Sequence, residues 1–129
     1  MDRIEKRINL LHNLKKQRMN NLLREYDLSY EEYQIVLALH YSEGMEISEI
    51  KNETKLSHHI IDNVLNHLEE KDYLNVKDGK LYLTEKTEKL YPQMKKIIKR
   101  DDEILAKSIG VNEVHELVGA LDKLIELYE

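Results

Sequence analysis

Residues 58–71 carry short polar side chains that a helix would place on one face: His58, His59, Asp62, Asn63, Asn66 and His67. An asparagine can pair with adenine through two hydrogen bonds, a histidine can donate to guanine, and an aspartate can accept from cytosine. These residue types therefore suit contacts with base edges in a DNA groove. The alternative is a solvated face with no role in nucleic-acid binding.

Seven lysines lie between residues 46 and 90 and could hold phosphates around this face: Lys51, Lys55, Lys71, Lys77, Lys80, Lys86 and Lys89. The same segment carries ten acidic side chains, so its net charge is −3, and that of the whole chain is −5. Because phosphate neutralisation depends on the contacting face, the position of the lysines matters more than the total charge. The predicted DNA-binding set is Ser57, His58, His59, Asp62, Asn63, His67, Lys51, Lys55, Lys77 and Lys80.

Two helices separated by a tight turn must position this set. Ser48 can cap a short first helix, in which Ile50 faces inward. Leu56 and Ser57 form the break, and Ser57 caps a second helix from His58 to about Lys71. One apolar stripe of that helix has helical spacing and is predicted to be buried: Ile61, Val64, Leu65 and Leu68.

A β-hairpin is predicted directly after the second helix. Residues 74–77 and 80–83 alternate around Asp78 and Gly79. An Asp-Gly pair between such runs is the strongest short hairpin signal. Residues 45–47 are predicted to form the third strand of this small sheet.

Helices are also predicted on both sides of this segment. An amphipathic helix covers residues 3–26, and a capping box of Ser29 and Glu32 opens a helix that continues to His40 and is ended by Gly44. Thr84 can cap a helix that Pro92 should kink or break in its first turns. Gly110 is a stop signal, and Asn112 can cap the last helix.

The helices at the two ends have more apolar surface than the small domain formed by the two central helices and the hairpin can cover. We therefore predict a homodimer, with a helix lying on a membrane surface as the less favoured alternative. The predicted dimerisation set is Ile4, Ile8, Leu11, Val114, Leu117, Val118, Leu121, Leu124, Ile125 and Tyr128.

Composition excludes several other classes of function. The chain has no cysteine, and it offers no glycine-rich phosphate loop or nucleophile turn, so we do not expect an enzyme or a cofactor. His58 with Asp62 has a chelating spacing, but the sequence places no third strong ligand nearby, so we expect no metal site. The sequence has no apolar run of membrane-spanning length and no signal-peptide core, so we expect a cytoplasmic protein without a membrane partner.

The order of these elements resembles the MarR (multiple antibiotic resistance regulator) family and, more narrowly, its SarA-like branch. The segments that carry the resemblance are residues 25–30 (EYDLSY), residues 68–74 (LEEKDYL), and Leu83 with Thr84 after the hairpin. The resemblance covers essentially the whole chain. It implies a homodimeric bacterial transcription regulator that binds double-stranded DNA, with the helix from His58 in a major groove and the hairpin, or wing, along the backbone.

The sequence thus predicts a mainly α fold with a small antiparallel β-wing, a winged helix-turn-helix in a single domain of residues 1–129. Residues 45–83 form the DNA-binding part, and residues 1–26 and 85–129 form the dimerisation helices. The acidic balance leaves a second hypothesis open. A winged helix with weak or no DNA binding could instead contact another regulatory protein.

Overall fold

A computed structural model describes residues 3–129 of the chain. Six helices and one hairpin follow each other in the order α1 (Arg3–Leu22), a 3-10 turn (Arg24–Tyr26), α2 (Tyr30–His40), α3 (Ile47–Thr54), α4 (His58–Glu70), β1 (Leu74–Lys77), β2 (Lys80–Leu83), α5 (Glu85–Ile109) and α6 (Val111–Tyr128). The chain divides into two compact units, one up to Met94 and one from Lys95 to Glu129. The predicted fold class, mainly helical with a two-stranded antiparallel wing, is confirmed.

The core of the first unit is built from the inward faces of α2, α3 and α4, from the base of the wing, and from the end of α1 and the first part of α5. Ile50 of α3 is fully buried, as predicted. The apolar stripe of α4 is buried along its whole length: Ile61, Val64, Leu65 and Leu68. Because this stripe fixes how α4 rotates about its own axis, the polar side chains between its members must face outward.

The turn between α3 and α4 forms as the sequence predicts, but α3 begins earlier. The Ser57 hydroxyl accepts a hydrogen bond from the Ile60 amide at 3.3 Å and caps α4. The predicted cap at Ser48 is wrong, because α3 starts at Ile47 and is capped by Glu46, whose side chain forms a reciprocal capping box with Glu49. Two glutamates therefore satisfy the free amides that Ser48 was expected to satisfy.

The wing pairs Leu74 with Leu83 and Lys77 with Lys80 at its two ends. Asp78 and Gly79 have φ values of 53° and 77°, the positive values that a two-residue hairpin turn requires. The predicted third strand over residues 45–47 is reduced to one bridge, in which Met45 and Leu81 exchange two backbone hydrogen bonds of 3.1 and 2.8 Å. Since Ile47 already belongs to α3, the strand has no room to continue.

Gly44 lies before this bridge at a φ of 105° and allows a close approach of the wing. A Cβ atom at this position would lie 2.5 Å from the ring of Tyr82. A larger residue would therefore have to displace the Tyr82 ring, and it would also be strained by the positive φ. Gly44 was predicted to end α2, but the helix ends at His40 with Tyr41 as its C-cap, and Gly44 instead lies against the Tyr82 ring of the wing.

The N-terminal segment differs from the prediction in one place. The predicted helix over residues 3–26 ends at Leu22 and is followed by the 3-10 turn, after which Asp27 adopts a left-handed conformation with a φ of 55°. The capping box that opens α2 is confirmed. The Ser29 hydroxyl accepts from the Glu32 amide at 3.1 Å, and the Glu32 carboxylate accepts from the Ser29 amide at 2.8 Å.

The helices after the wing begin and end at slightly different signals from those predicted. Thr84 caps α5 as expected, since its hydroxyl accepts from the Thr87 amide at 3.3 Å. No break occurs at Pro92, which lies inside the continuous α5. Gly110 ends α5, but it also precedes α6 directly, so that Asn112 lies within α6 and the predicted cap at Asn112 is wrong. In the described residues, no helix is long and apolar enough to cross a membrane.

Candidate nucleic-acid interface

The polar residues predicted to read DNA share one exposed face of α4. His58, His59, Asp62, Asn63 and His67 are all exposed, and the four apolar residues between them are buried. Asn63 lies near the middle of the helix, so its amide group does not cap either helix end. The face therefore presents hydrogen-bond donors and acceptors to any surface that approaches it.

The start of α4 is organised by two local contacts. Ser57 uses its oxygen as the helix cap, which leaves its hydroxyl hydrogen free to donate outward. The Nε2 atom of His58 lies 3.3 Å from Oδ2 of Asp62, one helical turn further on. This exposed contact adds little to stability, but it holds the His58 ring beside the Asp62 carboxylate on the polar face of α4.

The four lysines of the predicted DNA-binding set have no internal partner in the described residues. Within residues 3–129, no salt bridge or hydrogen bond engages the side chains of Lys51, Lys55, Lys77 or Lys80. Lys55 ends α3 in a left-handed conformation with a φ of 58°, and Lys77 lies directly opposite Lys80 across the wing. Like charges at opposed positions of a hairpin destabilise it, and a phosphate between them would remove that repulsion.

The other three lysines have different surroundings. Lys71 donates to the Glu32 carboxylate at 2.9 Å, so its ammonium group already has a partner within the fold. The ammonium group of Lys86 donates to the backbone carbonyl of Lys71 at 2.8 Å and lies 4.5 Å above the ring of Tyr73. Lys89 forms an exposed salt bridge with Glu85 in the same helix and remains accessible. Sequence reasoning missed the contact between Lys71 and Glu32, because the two residues are far apart in the chain.

The residues predicted to form a dimer interface lie on α1 and α6. On α1, Ile4 and Leu11 are exposed and Ile8 is half-buried. In α6, Val114 and Leu124 are half-buried, and the others are exposed: Leu117, Val118, Leu121, Ile125 and Tyr128. Such a long apolar stripe is unusual for a surface that remains in water.

Across residues 3–129, no group of three or more histidine, aspartate or glutamate side chains is arranged to hold a metal ion. The pair of His58 and Asp62 stands without a third ligand in this part of the chain. The polar face of α4 thus consists of hydrogen-bonding groups that are available to a macromolecular surface.

No protein-family model and no curated protein sequence matches the chain. Solved structures do match it in fold. A MarR transcriptional regulator from Methanosarcina mazei Go1 superposes with a TM-score of 0.83 at 22% identity, over 95% of this chain and 92% of that one. The chain has a MarR-type winged-helix fold.

Two further structures extend the similarity over nearly the whole chain. The MarR/EmrR family regulator from Acinetobacter sp. ADP1 has a TM-score of 0.86 at 19% identity, over 98% of this chain and 94% of that one. The MepR–DNA complex of S. aureus has a TM-score of 0.86 at 17% identity, over 98% of both chains. One protein with this fold is therefore seen bound to DNA.

Proposed function

We propose that this protein is a transcription regulator that binds double-stranded DNA as a homodimer. The observation that carries the proposal is the exposed polar face of α4, together with four lysines that have no internal partner within residues 3–129. The MarR-type fold supports it, because a solved structure with this fold is a DNA complex. A solved structure with this fold is a transcriptional regulator, which favours a regulator over an enzyme.

In this proposal α4 enters the major groove. Its 13 residues make a rod about 20 Å long, and a helix of this kind fits the major groove, which is about 12 Å wide. Asn63 is the best candidate for a base contact, because its amide can bind both hydrogen-bonding groups of adenine. The wing then lies along the backbone, with Lys77 and Lys80 at its tip.

The dimer is proposed from the exposed apolar residues of α1 and α6. A second copy of the chain would remove both surfaces from water, and a twofold dimer would present two α4 helices to DNA. The expected distance between half-sites is about 34–36 Å, one turn of the double helix. We further propose that the protein belongs to the SarA-like branch of the MarR family and acts in the cytoplasm, on the strength of residues 25–30 and 68–74.

A second candidate function rests on charge. Residues 46–90 have a net charge of −3, and Asp62 adds a carboxylate to the reading face itself. Such a surface suits contact with a basic protein, such as another regulator. Retention on duplex DNA at low salt separates the two candidates, since a protein-binding module would not be retained.

The salt dependence of duplex binding tests the role of the wing. Each lysine that neutralises a phosphate contributes about 0.9 to the slope of log affinity against log salt. The double variant Lys77→Gln/Lys80→Gln should therefore reduce the slope by up to about 1.8 per subunit and weaken binding to all duplexes alike. Fluorescence anisotropy at several salt concentrations measures both quantities.

The matched control is Lys96→Gln/Lys99→Gln, which makes the same change in charge at two exposed positions of α5. The slope of this control should equal that of the unmodified protein. A wing variant with an unchanged slope would remove the wing from the DNA interface.

A further inference from the structure

The turn that joins α4 to the wing, residues 71–73, is held by hydrogen bonds along its whole length. Three consecutive backbone carbonyls of this helix–wing turn accept from side chains that follow the wing. The carbonyl of Lys71 accepts from Lys86 at 2.8 Å, that of Asp72 from Thr84 at 2.8 Å, and that of Tyr73 from Thr87 at 2.7 Å. The start of α5 therefore fixes the backbone where α4 ends and the wing begins.

Two side chains of the same turn reach the junction between α1 and α2. The ammonium group of Lys71 donates to both carboxylate oxygens of Glu32, at 2.9 and 3.1 Å, and to the backbone carbonyl of Asp27 at 2.6 Å. The hydroxyl of Tyr73 donates to the backbone carbonyl of Tyr26. The helix–wing turn is thus bonded on one side to α5 and on the other to the α1–α2 junction.

The ion pair between Lys71 and Glu32 is partly buried. The side chain of Glu32 is only 6% exposed and that of Lys71 27% exposed, so each charge depends on the other for compensation. Burial, followed by the nearby negative charges of Asp27 and Glu32, raises the pKa of Tyr73, which keeps its hydroxyl protonated as a donor. Glu32 also caps α2, so the partner of Lys71 is itself held in place.

We propose that Lys71 is a positioning residue for DNA reading, which sets α4 and the wing against the α1–α2 junction and does not itself contact DNA. Because α4 ends and the wing begins in the same three residues, a shift of this turn would move both DNA-contacting elements together. The inference rests on the proposed DNA-binding function. It also gives a role to residues 25–30 and 68–74, which the Lys71 and Tyr73 contacts bring together.

The test compares Lys71→Met, Glu32→Gln and Lys71→Arg in the full-length protein, with a random-sequence duplex as the probe. Arginine can still donate to Glu32 and to the Asp27 carbonyl, whereas methionine keeps only the length of the side chain. Substitutions that break a contact linking distant elements in this way change binding affinity by about 2- to 30-fold. We expect Lys71→Met and Glu32→Gln to bind that much more weakly with an unchanged salt slope, and Lys71→Arg to restore binding.

The control is Lys16→Met, which removes an equal charge and breaks the 2.5 Å salt bridge with Glu31 between α1 and α2, but does not touch the helix–wing turn. Its duplex affinity should stay close to that of the unmodified protein. Thermal melting followed by circular dichroism sets a temperature at which each variant is folded. If Lys71→Met does not fold at any temperature, Glu32→Gln and Lys71→Arg give the result.

Two results would overturn the positioning role. Folded Lys71→Met and Glu32→Gln with unchanged affinity would show that the contact serves stability alone. A salt slope lowered by about one unit in Lys71→Met would show that Lys71 contacts a phosphate. If the unmodified protein binds no duplex at all, the proposed function fails and this inference fails with it, an outcome that the first measurement of the series identifies.

Discussion

A Leu121→Asp variant is expected to be a monomer and to bind a duplex with two half-sites about 10²- to 10⁴-fold more weakly, because the two reading helices would no longer be linked. Leu121 is 43% exposed in the single chain and lies among other exposed apolar residues of α6. In a dimer, the new carboxylate would be buried without a partner, at a high cost in free energy. In a monomer it would face water, so the variant should remain folded.

Sedimentation velocity measures the subunit state, and anisotropy with a two-half-site duplex measures the loss of affinity. The control is Asn112→Asp, which adds the same charge at an exposed polar position of the same helix. It should remain dimeric. A Leu121→Asp variant that sediments as a dimer would exclude this part of α6 from the interface, and an unmodified protein that is monomeric at micromolar concentration would exclude the dimer itself.

Leu68→Ala should lower the free energy of unfolding by about 2–5 kcal/mol. Leu68 is fully buried on the inward face of α4, so its truncation removes apolar contacts and leaves a cavity in the first unit. Urea denaturation followed by circular dichroism measures the change. The substitution lies on α4, the same helix that carries the exposed polar residues.

Asn66→Ala is the matched control, since Asn66 lies on the exposed face of α4. Its effect on the free energy of unfolding should stay within about 0.5 kcal/mol. Equal effects for the two substitutions would contradict the assignment of an inward and an outward face. The comparison therefore separates the residues that hold α4 in place from those that are free to bind.

The parts of the fold that could be predicted from the sequence are those set by local physical rules. The apolar stripe of α4, the caps at Ser57 and Ser29, and the turn at Asp78 and Gly79 all follow from spacing or from the needs of a few neighbouring backbone groups. Each of these signals involves residues within about one or two turns of each other. They placed the polar face of α4 on the outside before any tertiary contact was known.

The predictions that were wrong depended on competition between signals or on distant contacts. Glutamate is not among the preferred N-cap residues, so the sequence pattern favoured Ser48 over Glu46 as the cap of α3. Pro92 was predicted to kink or break α5, and the structure contradicts the break, because the helix continues through the proline. The role of Lys71 was missed because Glu32 lies 39 residues earlier in the chain.

The residues predicted to bind DNA divide in the same way, into features set by local spacing and features set by tertiary contacts. Exposure of the polar residues on α4 followed from periodicity, whereas the availability of each lysine depended on tertiary structure. Lys77 and Lys80 are at the tip of the wing, with both side chains exposed, but Lys71 is used within the fold. The four lysines of the predicted DNA-binding set remain the proposed phosphate contacts: Lys51, Lys55, Lys77 and Lys80.

Selection of bound duplexes from a random-sequence library tests most directly the claim that the exposed face of α4 reads DNA. The unmodified protein should enrich one motif with an adenine contacted by Asn63. Asn63→Ala should lose about 1–3 kcal/mol of binding free energy on that motif and no longer discriminate at that base pair. Enrichment of no motif, or an Asn63→Ala variant with the same affinity and the same base preferences, would contradict the account.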